Sequence, residues 1–348
     1  MSSGKAFKRV TIADIAQATG YSKTSVSFAF NSPQRISEQA RKRILSTAEQ
    51  LGYYPDSLAR NFSLQRHHSI GFLIPHDISL SLENPYIVEV LEGIGSVCRK
   101  QEYTLTLIPP FGESLSKAIR SAAVDGLITL GMEAEMRVVQ IIRQKHIPYV
   151  TIDGTPSDGM PSVNIDDLEA AREGLEHLLS LGHRRIALIS IKGTRSEKTV
   201  NLSVIDRRME GFKRALAGYG LSSPSRDVRM YHSSSTFEGG IQAARELLSG
   251  DFQPTAICAM SDIIALGCLD ELRREGVRVP GDISVTGFDH IAQSDRSVPP
   301  LTTMDQPGGL KGERSAQMLF SMLAGADVDG AERLIPHRLI QGGSTGRV

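Results

Sequence analysis

Residues 11–31, TIADIAQATGYSKTSVSFAFN, predict two short helices joined at a glycine. Thr11 has the side chain of a helix N-cap, and Ser22 is suited to cap the second helix. Gly20 accepts the left-handed backbone conformation that ends a helix. The first helix has an apolar stripe at helical spacing, formed by Ile12, Ile15 and Ala16.

The second predicted helix has one apolar face and one polar face. Its inward positions are Val26, Ala29 and Phe30, and its outward positions are Lys23, Thr24, Ser27 and Phe28. Two such helices around a glycine turn are typical of a helix-turn-helix, whose second helix lies in the major groove of DNA. An ordinary helical hairpin is the alternative interpretation of this segment.

Charge is divided unevenly along the chain. Residues 1–66 hold ten Lys and Arg against four Asp and Glu, a net charge of +6, and the remaining 282 residues hold 29 against 35, a net charge of −6. A basic segment joined to an acidic remainder is typical of a nucleic-acid-binding module attached to another domain. The alternative is a solvated basic surface without a partner.

The length of 348 residues allows two or three domains. Cys98, Cys258 and Cys268 lie in apolar segments without metal-binding spacing, which predicts buried thiols in a reducing compartment. Residues 1–10 lack the apolar stretch of a signal peptide. No apolar run approaches the ~18 residues of a membrane span. We therefore expect a cytoplasmic protein that does not contact a membrane.

Motifs for catalysis and for cofactor binding are missing. There is no P-loop, no GxGxxG follows a strand, and residues 177–183, HLLSLGH, lack the glutamate of a zinc-protease helix. The nine histidines are scattered and match no nucleophile–base motif. We therefore expect no enzymatic activity, no cofactor and no bound metal.

A third helix and a short linker follow the helix-turn-helix. Ser37 is the expected N-cap of residues 37–52, SEQARKRILSTAEQLG, whose apolar stripe is expected at Ile44, Leu45, Ala48 and Leu51. The three helices together predict a compact domain over residues 9–54. Residues 55–67 can form a helix of only one or two turns, which is marginal in water and would be ordered by DNA or by a second copy of the chain.

Strands and helices alternate from Ser69 onward. The predicted strands are continuous apolar runs, namely SIGFLIP, YTLTLIP, GLITLG, PYVTID, RIALIS, AICAM and ISVTGFD. Such runs, separated by helices, are typical of parallel strands that are buried on both faces and joined in right-handed βαβ units. About 280 residues of this pattern exceed one core. We therefore expect an α/β body of two doubly wound parallel-sheet lobes with a ligand between them.

Essentially the whole chain resembles the lactose/galactose repressor (LacI/GalR) family. The matching stretches include TIADIAQATGYSKTSVSFAFN, RISEQARKRILSTAEQLGYYPDSLAR, HLLSLGHRRIALI, VRVPGDISVTGFD and PPLTTMDQP, in this order. The resemblance implies a helix-turn-helix DNA-binding domain, a hinge helix and a periplasmic-binding-protein-like body. Their expected ranges are 9–54, 55–67 and 68–348, with a first lobe at about 68–163 and 292–325 and a second lobe at about 164–291 and 326–345.

The resemblance further implies a homodimeric repressor of a carbohydrate-utilisation operon. The dimer would bind a near-palindromic operator in double-stranded DNA, and a small-molecule effector, expected to be a sugar, would control operator affinity from the cleft. A nucleobase, a sugar phosphate or a protein co-regulator is an alternative effector, and the sign of regulation stays open. A transport binding protein would share the body but would need an export signal and no basic domain. Gly342 occupies a position near which relatives often have arginine.

The family's DNA contacts can be carried over to the helix-turn-helix residue by residue. Lys23 and Thr24 match base-contacting positions. Phe28 matches a position at which many members have arginine, and its alternative role is packing onto the third helix. Positions that contact phosphate or cap helices are matched by Thr11, Ser22, Ser25, Ser27 and Asn31.

The resemblance also places DNA contacts in the linker. Tyr53 matches the start of the hinge. Leu58, Ala59 and Phe62 share one face of the short helix, from which Phe62 is expected to insert between two central base pairs of the minor groove. Packing within the hinge dimer is the alternative role of Phe62.

Effector contacts are expected at the carboxyl ends of strands in the body. Asp289 and Arg208 match positions that the family uses for sugar hydroxyls and for hydroxyls or carboxylates. Other matched or similarly placed positions are Tyr86, Asp153, Phe237, Ser261 and Asp262. The alternative for the aspartates is helix capping, and for Arg208 it is a surface charge.

Overall fold

The computed structural model of this chain describes residues 10–53, 66–74, 78–112, 114–133, 136–155, 160–192, 202–328 and 332–348. The chain divides into two compact units, Met1–His67 and His68–Val348. We call them the N-terminal unit and the body.

The N-terminal unit contains α1 (Ile12–Thr19), α2 (Lys23–Asn31), a 3₁₀ turn (Pro33–Arg35) and α3 (Glu38–Gln50). Thr11 and Asp14 form a capping box at the start of α1, and Gly20 ends α1 in the left-handed conformation with φ of 76°. Ser22 and Ser37 cap α2 and α3. The core joins all three helices through Ile15, Val26, Ala29, Ile44 and Ala48.

Two predictions for this unit need comment. Leu51 was expected on the apolar stripe of α3 but is 40% exposed, because the helix ends at Gln50 and Leu51 is its C-cap. The hinge positions Leu58, Ala59 and Phe62 lie outside the described residues. Their predicted role in the minor groove therefore stays a prediction.

The first lobe of the body is built on a six-stranded sheet with the order β11-β5-β4-β3-β1-β2. The described pairings of this sheet are all parallel. Ile70 of β1 lies opposite Leu105 of β2 on one side and Gly126 of β3 on the other. The elements are β1 (Ser69–Leu73), α4 (Ile78–Leu82), α5 (Pro85–Lys100), β2 (Thr104–Ile108), α6 (Leu115–Ser121), β3 (Gly126–Leu130), α7 (Arg137–Gln144), β4 (Tyr149–Ile152), β5 (Ser162–Asn164), α13 (Gly308–Leu323) and β11 (Glu332–Leu334).

The second lobe is built on a six-stranded sheet with the order β12-β10-β9-β8-β6-β7, in which β12 alone is antiparallel to its neighbour. The elements are α8 (Asp167–Ser180), β6 (Ile186–Ile191), α9 (Leu202–Gly218), β7 (Val228–Ser233), α10 (Phe237–Ser249), β8 (Ala256–Ala259), α11 (Asp262–Arg274), β9 (Ser284–Asp289), α12 (Ala292–Arg296), β10 (Thr302–Asp305) and β12 (Arg338–Ile340). Two doubly wound sheets after a three-helix unit confirm the predicted fold class.

The expected division of the body between its lobes is wrong at two strands. Residues 292–325 were assigned to the first lobe, but β10 pairs with β9 in the second sheet. Residues 326–345 were assigned to the second lobe, but β11 pairs with β5 in the first sheet. The chain therefore crosses between lobes after β5, after β10 and after β11. Because β10 and β11 are short and lack a continuous apolar run, the sequence did not indicate these crossings.

Close packing of α5 on α13 fixes one face of the first lobe. A Cβ atom on Gly93 of α5 would collide with the carbonyl oxygen of Gly309, and one on Gly312 of α13 would collide with that of Val90. The backbones of the two helices are therefore in contact at these glycines.

Candidate functional site

The outward face of α2 is the candidate DNA-binding surface. Lys23 and Thr24 are exposed in its first turn. Ser22 caps the helix by accepting from the Ser25 amide at 3.0 Å, and the two hydroxyls are 2.9 Å apart. Asn31 donates to the Ser27 hydroxyl at 3.3 Å. Ser22, Lys23, Thr24 and Ser25 lie at the N-terminal end of α2, which a helix-turn-helix directs into the major groove, and Ser27 and Asn31 lie further along the helix.

Thr11 and Tyr53 take part in the structure of the N-terminal unit. The Thr11 hydroxyl lies 2.6 Å from the Asp14 carboxylate in the capping box. Tyr53 packs against the core, with its ring centroid 5.5 Å from that of Phe30. A DNA contact by either residue would add to these roles.

Phe28 lies on the same outward face and is half-buried. It is not among the residues that form or cover the core of the unit, which argues against the alternative of packing onto α3. The Arg35 guanidinium carbon lies 5.6 Å from the centroid of the Phe28 ring, within the range of a cation–π contact.

A cavity of about 170 Å³ lies between the two lobes of the body. Among the predicted effector-binding residues, Tyr86, Asp153, Arg208, Ser261 and Asp289 line it. Asp153 follows β4 of one sheet and Asp289 ends β9 of the other, so the cavity is at the carboxyl ends of both sheets. The rest of the lining consists of Ser81, Asn84, Ile87, Leu130, Ile191, Lys192, Val204, Ile205, Ser234, Ser235, Thr236 and Gln306.

Two predicted effector-binding residues do not line this cavity. Phe237 is 40% exposed at the start of α10. Asp262 is buried, but its carboxylate accepts hydrogen bonds from the Ile291 amide and from the hydroxyls of Ser294 and Thr303. Asp262 therefore links α11 to the segments after β9 and in β10, and we correct its assignment from effector contact to this structural role.

A buried cation holds the carboxylate of Asp153. Lys311 of α13 is fully buried, and its Nζ donates to Asp153 Oδ1 and, at 2.8 Å, to Gln306 Oε1. The Tyr86 hydroxyl donates to Asp153 Oδ2 at 2.6 Å. Burial, together with the charge of Asp153, raises the pKa of Tyr86 well above its ordinary value, so the phenol stays protonated as a donor.

Gln306 connects this group to the second lobe. Its Nε2 donates to Asp289 Oδ1, while the Asp262 amide lies 3.4 Å from Asp289 Oδ2. Burial and the nearby charge of Asp262 raise the pKa of Asp289 to about 7. Asp289 can therefore be an acceptor or a donor near neutral pH.

Backbone geometry is unusual at both strand-end aspartates. Asp153 has φ of 58° and Asp289 has φ of 133°, which are backbone conformations that residues other than glycine rarely adopt. Such conformations cost on the order of 1–3 kcal/mol and are concentrated at functional sites. The two carboxylates that face the cavity are thus held at some energetic cost to the fold.

Arg208 is fixed by several contacts in the second lobe. Its Nε donates to Asp167 Oδ1 at 2.9 Å, its Nη1 donates to the Met260 carbonyl at 2.8 Å, and its guanidinium stacks 3.7 Å from the centroid of the Phe288 ring. Although burial opposes ionisation, the charge of Arg208, assisted by Lys311 and Arg207, lowers the pKa of Asp167. The guanidinium therefore reaches the cavity in a fixed orientation.

Sequence reasoning missed several residues of the site. Lys311 was not singled out, although its spacing from Gly308, Gly312 and Ser315, small residues on the buried face of the same helix, was a usable signal. Gln306 follows a strand that was not predicted. Asp167 looked like an ordinary first-turn acid of a helix. Its partner Arg208 lies in another helix, and no local pattern shows that pairing.

Among the described residues, no group of three or more His, Cys, Asp or Glu side chains is placed so that it could hold a metal ion. In the same part of the chain, no helix is both long and apolar enough to cross a membrane.

Comparison with known proteins gives a consistent result for both units. Residues 11–56 match the model "Bacterial regulatory proteins, lacI family", and residues 175–345 match "Periplasmic binding protein-like domain". Catabolite control protein A of Priestia megaterium is 30% identical over 95% of this chain and 97% of its own length.

Solved structures agree with this result. A LacI family transcriptional regulator from Enterococcus faecium with bound ribose is 28% identical, covers 80% of this chain and 99% of its own, and superimposes with a TM-score of 0.70. The lac repressor dimer bound to operator has the same fold, with a TM-score of 0.79, 24% identity, and coverage of 97% of this chain and 100% of that one. On its sequence similarity over nearly its full length, this chain belongs to the lacI family of bacterial regulatory proteins and is a DNA-binding transcriptional regulator.

Proposed function

We propose that this protein represses a carbohydrate-utilisation operon in the cytoplasm. A homodimer binds a near-palindromic operator through α2, and a sugar in the interlobe cavity controls the affinity for DNA. The observation that carries the effector assignment is the cavity itself, in which carboxylates from both sheets, one fixed guanidinium and several hydroxyl groups converge.

The polar groups of the cavity suit a neutral polyol. Sugar hydroxyls donate to carboxylates such as those of Asp153 and Asp289, and they accept from a guanidinium such as that of Arg208. Apolar side chains cover the remaining walls and suit the C–H faces of a sugar ring; they are Ile87, Leu130, Ile191, Val204 and Ile205. Bound ribose in the Enterococcus faecium relative supports the same ligand class.

Direct bonds between the lobes offer a route from the cavity to the rest of the protein. Asn84 of the first lobe donates to Ser235 of the second lobe at 3.4 Å. Arg207 of the second lobe donates to the Asp153 carbonyl of the first at 3.3 Å. A ligand that binds both lobes would favour the arrangement in which these bonds form, and its differential affinity for that arrangement would alter DNA affinity.

A thermal-shift screen of the full-length protein tests the effector assignment. We expect a neutral monosaccharide or disaccharide to raise the melting temperature in a dose-dependent manner, because it binds the folded state alone. Asp289→Ala and Arg208→Ala should abolish the shift. Asp206→Ala, which removes an exposed carboxylate from the same helix as Arg208, is the matched control and should keep it.

Other outcomes of this screen would change the assignment. A shift with sugar phosphates or purines but not with sugars would replace the sugar by that class. No shift with any small molecule would contradict a small-molecule effector and favour a protein co-regulator. A shift that survives in both cavity variants would place the ligand elsewhere.

A further inference from the structure

The outward face of α2 continues beyond the end of the helix. Thr24, Phe28 and Asn31 follow one another at intervals of four and three residues, which places them on one side of α2. The chain then forms the 3₁₀ turn Pro33–Arg35, and Arg35 falls four residues after Asn31. The backbone leaves the helical conformation at Ser32, which has φ of −150° and ψ of 65°, and the turn brings the Arg35 guanidinium beside the Phe28 ring.

The Phe28 ring holds the side chain of Arg35. The guanidinium carbon lies 5.6 Å from the ring centroid, within the range of a cation–π contact. A cation–π contact leaves the N–H groups of the guanidinium free to donate hydrogen bonds. Phe28 therefore orients the group without using its hydrogen-bonding capacity.

Arg35 has no carboxylate partner in the described part of the N-terminal unit. Lys42 of α3, in contrast, forms an ion pair with Glu38 at 3.0 Å. Arg35 is exposed, and its charge is available to an external partner. A helix-turn-helix presents this face to the major groove, in which the acceptors of guanine form the commonest specific contact with arginine.

We propose that Arg35, held in place by Phe28, contacts a guanine in each operator half-site and determines specificity there. This inference rests on DNA binding by α2. Phe28 itself has no donor for guanine O6 or N7, so Arg35 supplies from the turn a guanidinium that α2 lacks. The two residues act together as one base-contacting unit.

In vitro selection with randomised DNA duplexes provides the test. Full-length protein should enrich a near-palindromic site with G·C at one symmetric pair of positions. Arg35→Ala should weaken binding to that site by roughly tenfold or more and should remove the preference for G·C there. Phe28→Leu, which keeps an apolar side chain but removes the ring, should weaken the same preference.

Three further variants sharpen the result. Arg35→Lys keeps the charge but loses the bidentate geometry, so it should lose most of the G·C preference. The double variant Phe28→Arg with Arg35→Ala should regain a G·C preference, because arginine then projects from the helix. Lys42→Ala is the matched control and should leave base preferences unchanged, with circular dichroism confirming that all variants are folded.

Several outcomes would overturn the inference. If Arg35→Ala weakens all duplexes equally and lowers the salt dependence of binding, Arg35 contacts phosphate and does not specify a base. Unchanged affinity and preference in Arg35→Ala would show that Arg35 does not contact DNA. Failure of the wild type to enrich any duplex would instead contradict the DNA-binding function, and this inference with it.

Discussion

The two functional surfaces of this protein differ in whether their charged side chains are exposed or buried in ion pairs. On α2 and the following turn, Lys23 and Arg35 are exposed and have no carboxylate partner in the described part of the N-terminal unit. In the body, Lys311 is bound to Asp153, and Arg208 to Asp167, away from water. Exposed cations without a carboxylate partner suit negatively charged DNA, whereas fixed buried charges suit a small ligand that needs an ordered site.

The largest expected difference between the two surfaces is their response to salt. Binding to DNA releases condensed counterions, so added salt weakens it. If the protein contacts 6–10 phosphates, its affinity for DNA should fall by roughly 10³–10⁵-fold between about 50 and 200 mM salt. Effector affinity should change little over the same range, since buried pairs are screened less. Titrations of both ligands across the salt series check this, and an equally steep effector dependence would contradict the contrast.

The next effect concerns the buried cation. Lys311→Met leaves the Asp153 carboxylate without its ion pair and should destabilise the protein by about 3–5 kcal/mol, as measured by denaturant unfolding. Lys213→Met changes an exposed lysine on α9 and is the matched control, with an expected change within about 0.5 kcal/mol. Adding Asp153→Asn to Lys311→Met should recover part of the loss. Equal stabilities of Lys311→Met and the control would show that the pair contributes nothing.

Backbone contact between α5 and α13 predicts a smaller loss. Gly312→Ala would press a methyl group into the Val90 carbonyl and should destabilise the body by about 1–3 kcal/mol. Gly309→Ala on the same helix is the control, since its Cβ would lie at an ordinary 3.7 Å from the Glu89 carbonyl. Calorimetry should therefore separate the two variants, and similar melting temperatures would contradict the close packing.

A further expected effect depends on pH. The pKa of Asp289 is raised from 3.8 to about 7 by burial and by Asp262, so between these values the folded state binds a proton that the unfolded state does not. Stability from this group is therefore lost as pH rises through that window. Asp289→Asn keeps an acceptor for Gln306 and removes the titration.

The melting temperature of Asp289→Asn relative to wild type should therefore be higher at pH 8 than at pH 5. Each kcal/mol of change in the free energy of unfolding shifts the melting temperature by roughly 2–4 °C in a domain of 150–250 residues. Glu89→Gln should show a shift of the same sign, because burial and Glu92 also raise the pKa of Glu89 to about 7. A constant difference between Asp289→Asn and wild type across pH would mean that Asp289 stays ionised.

Local sequence signals predicted much of this structure. Capping at Thr11 and Ser22 and the turn at Gly20 depend on the residue itself and its close neighbours, and the structure has all three. Position at the end of an apolar strand placed Asp153 and Asp289 at the cavity. In these cases the physical cause lies within a few residues of the effect.

Features that depend on distant parts of the chain were not predicted. The crossing of β10 and β11 between lobes depends on pairings with strands far away in sequence. Asp262 ends the same type of strand as Asp289, but Ser294 and Thr303 turn it into a structural link. Burial of Lys311 likewise depends on Asp153, 158 residues away.

The central claim is that a ligand in the interlobe cavity controls DNA affinity, and titration of selected operator DNA tests it most directly. Full-length wild type and Asp289→Ala are each titrated with and without a sugar that stabilises the wild type. We expect operator affinity of the wild type to change about 5–150-fold with the sugar, and that of Asp289→Ala to stay constant at the wild-type ligand-free value. Wild-type operator affinity that is the same with saturating sugar as without it would contradict the account.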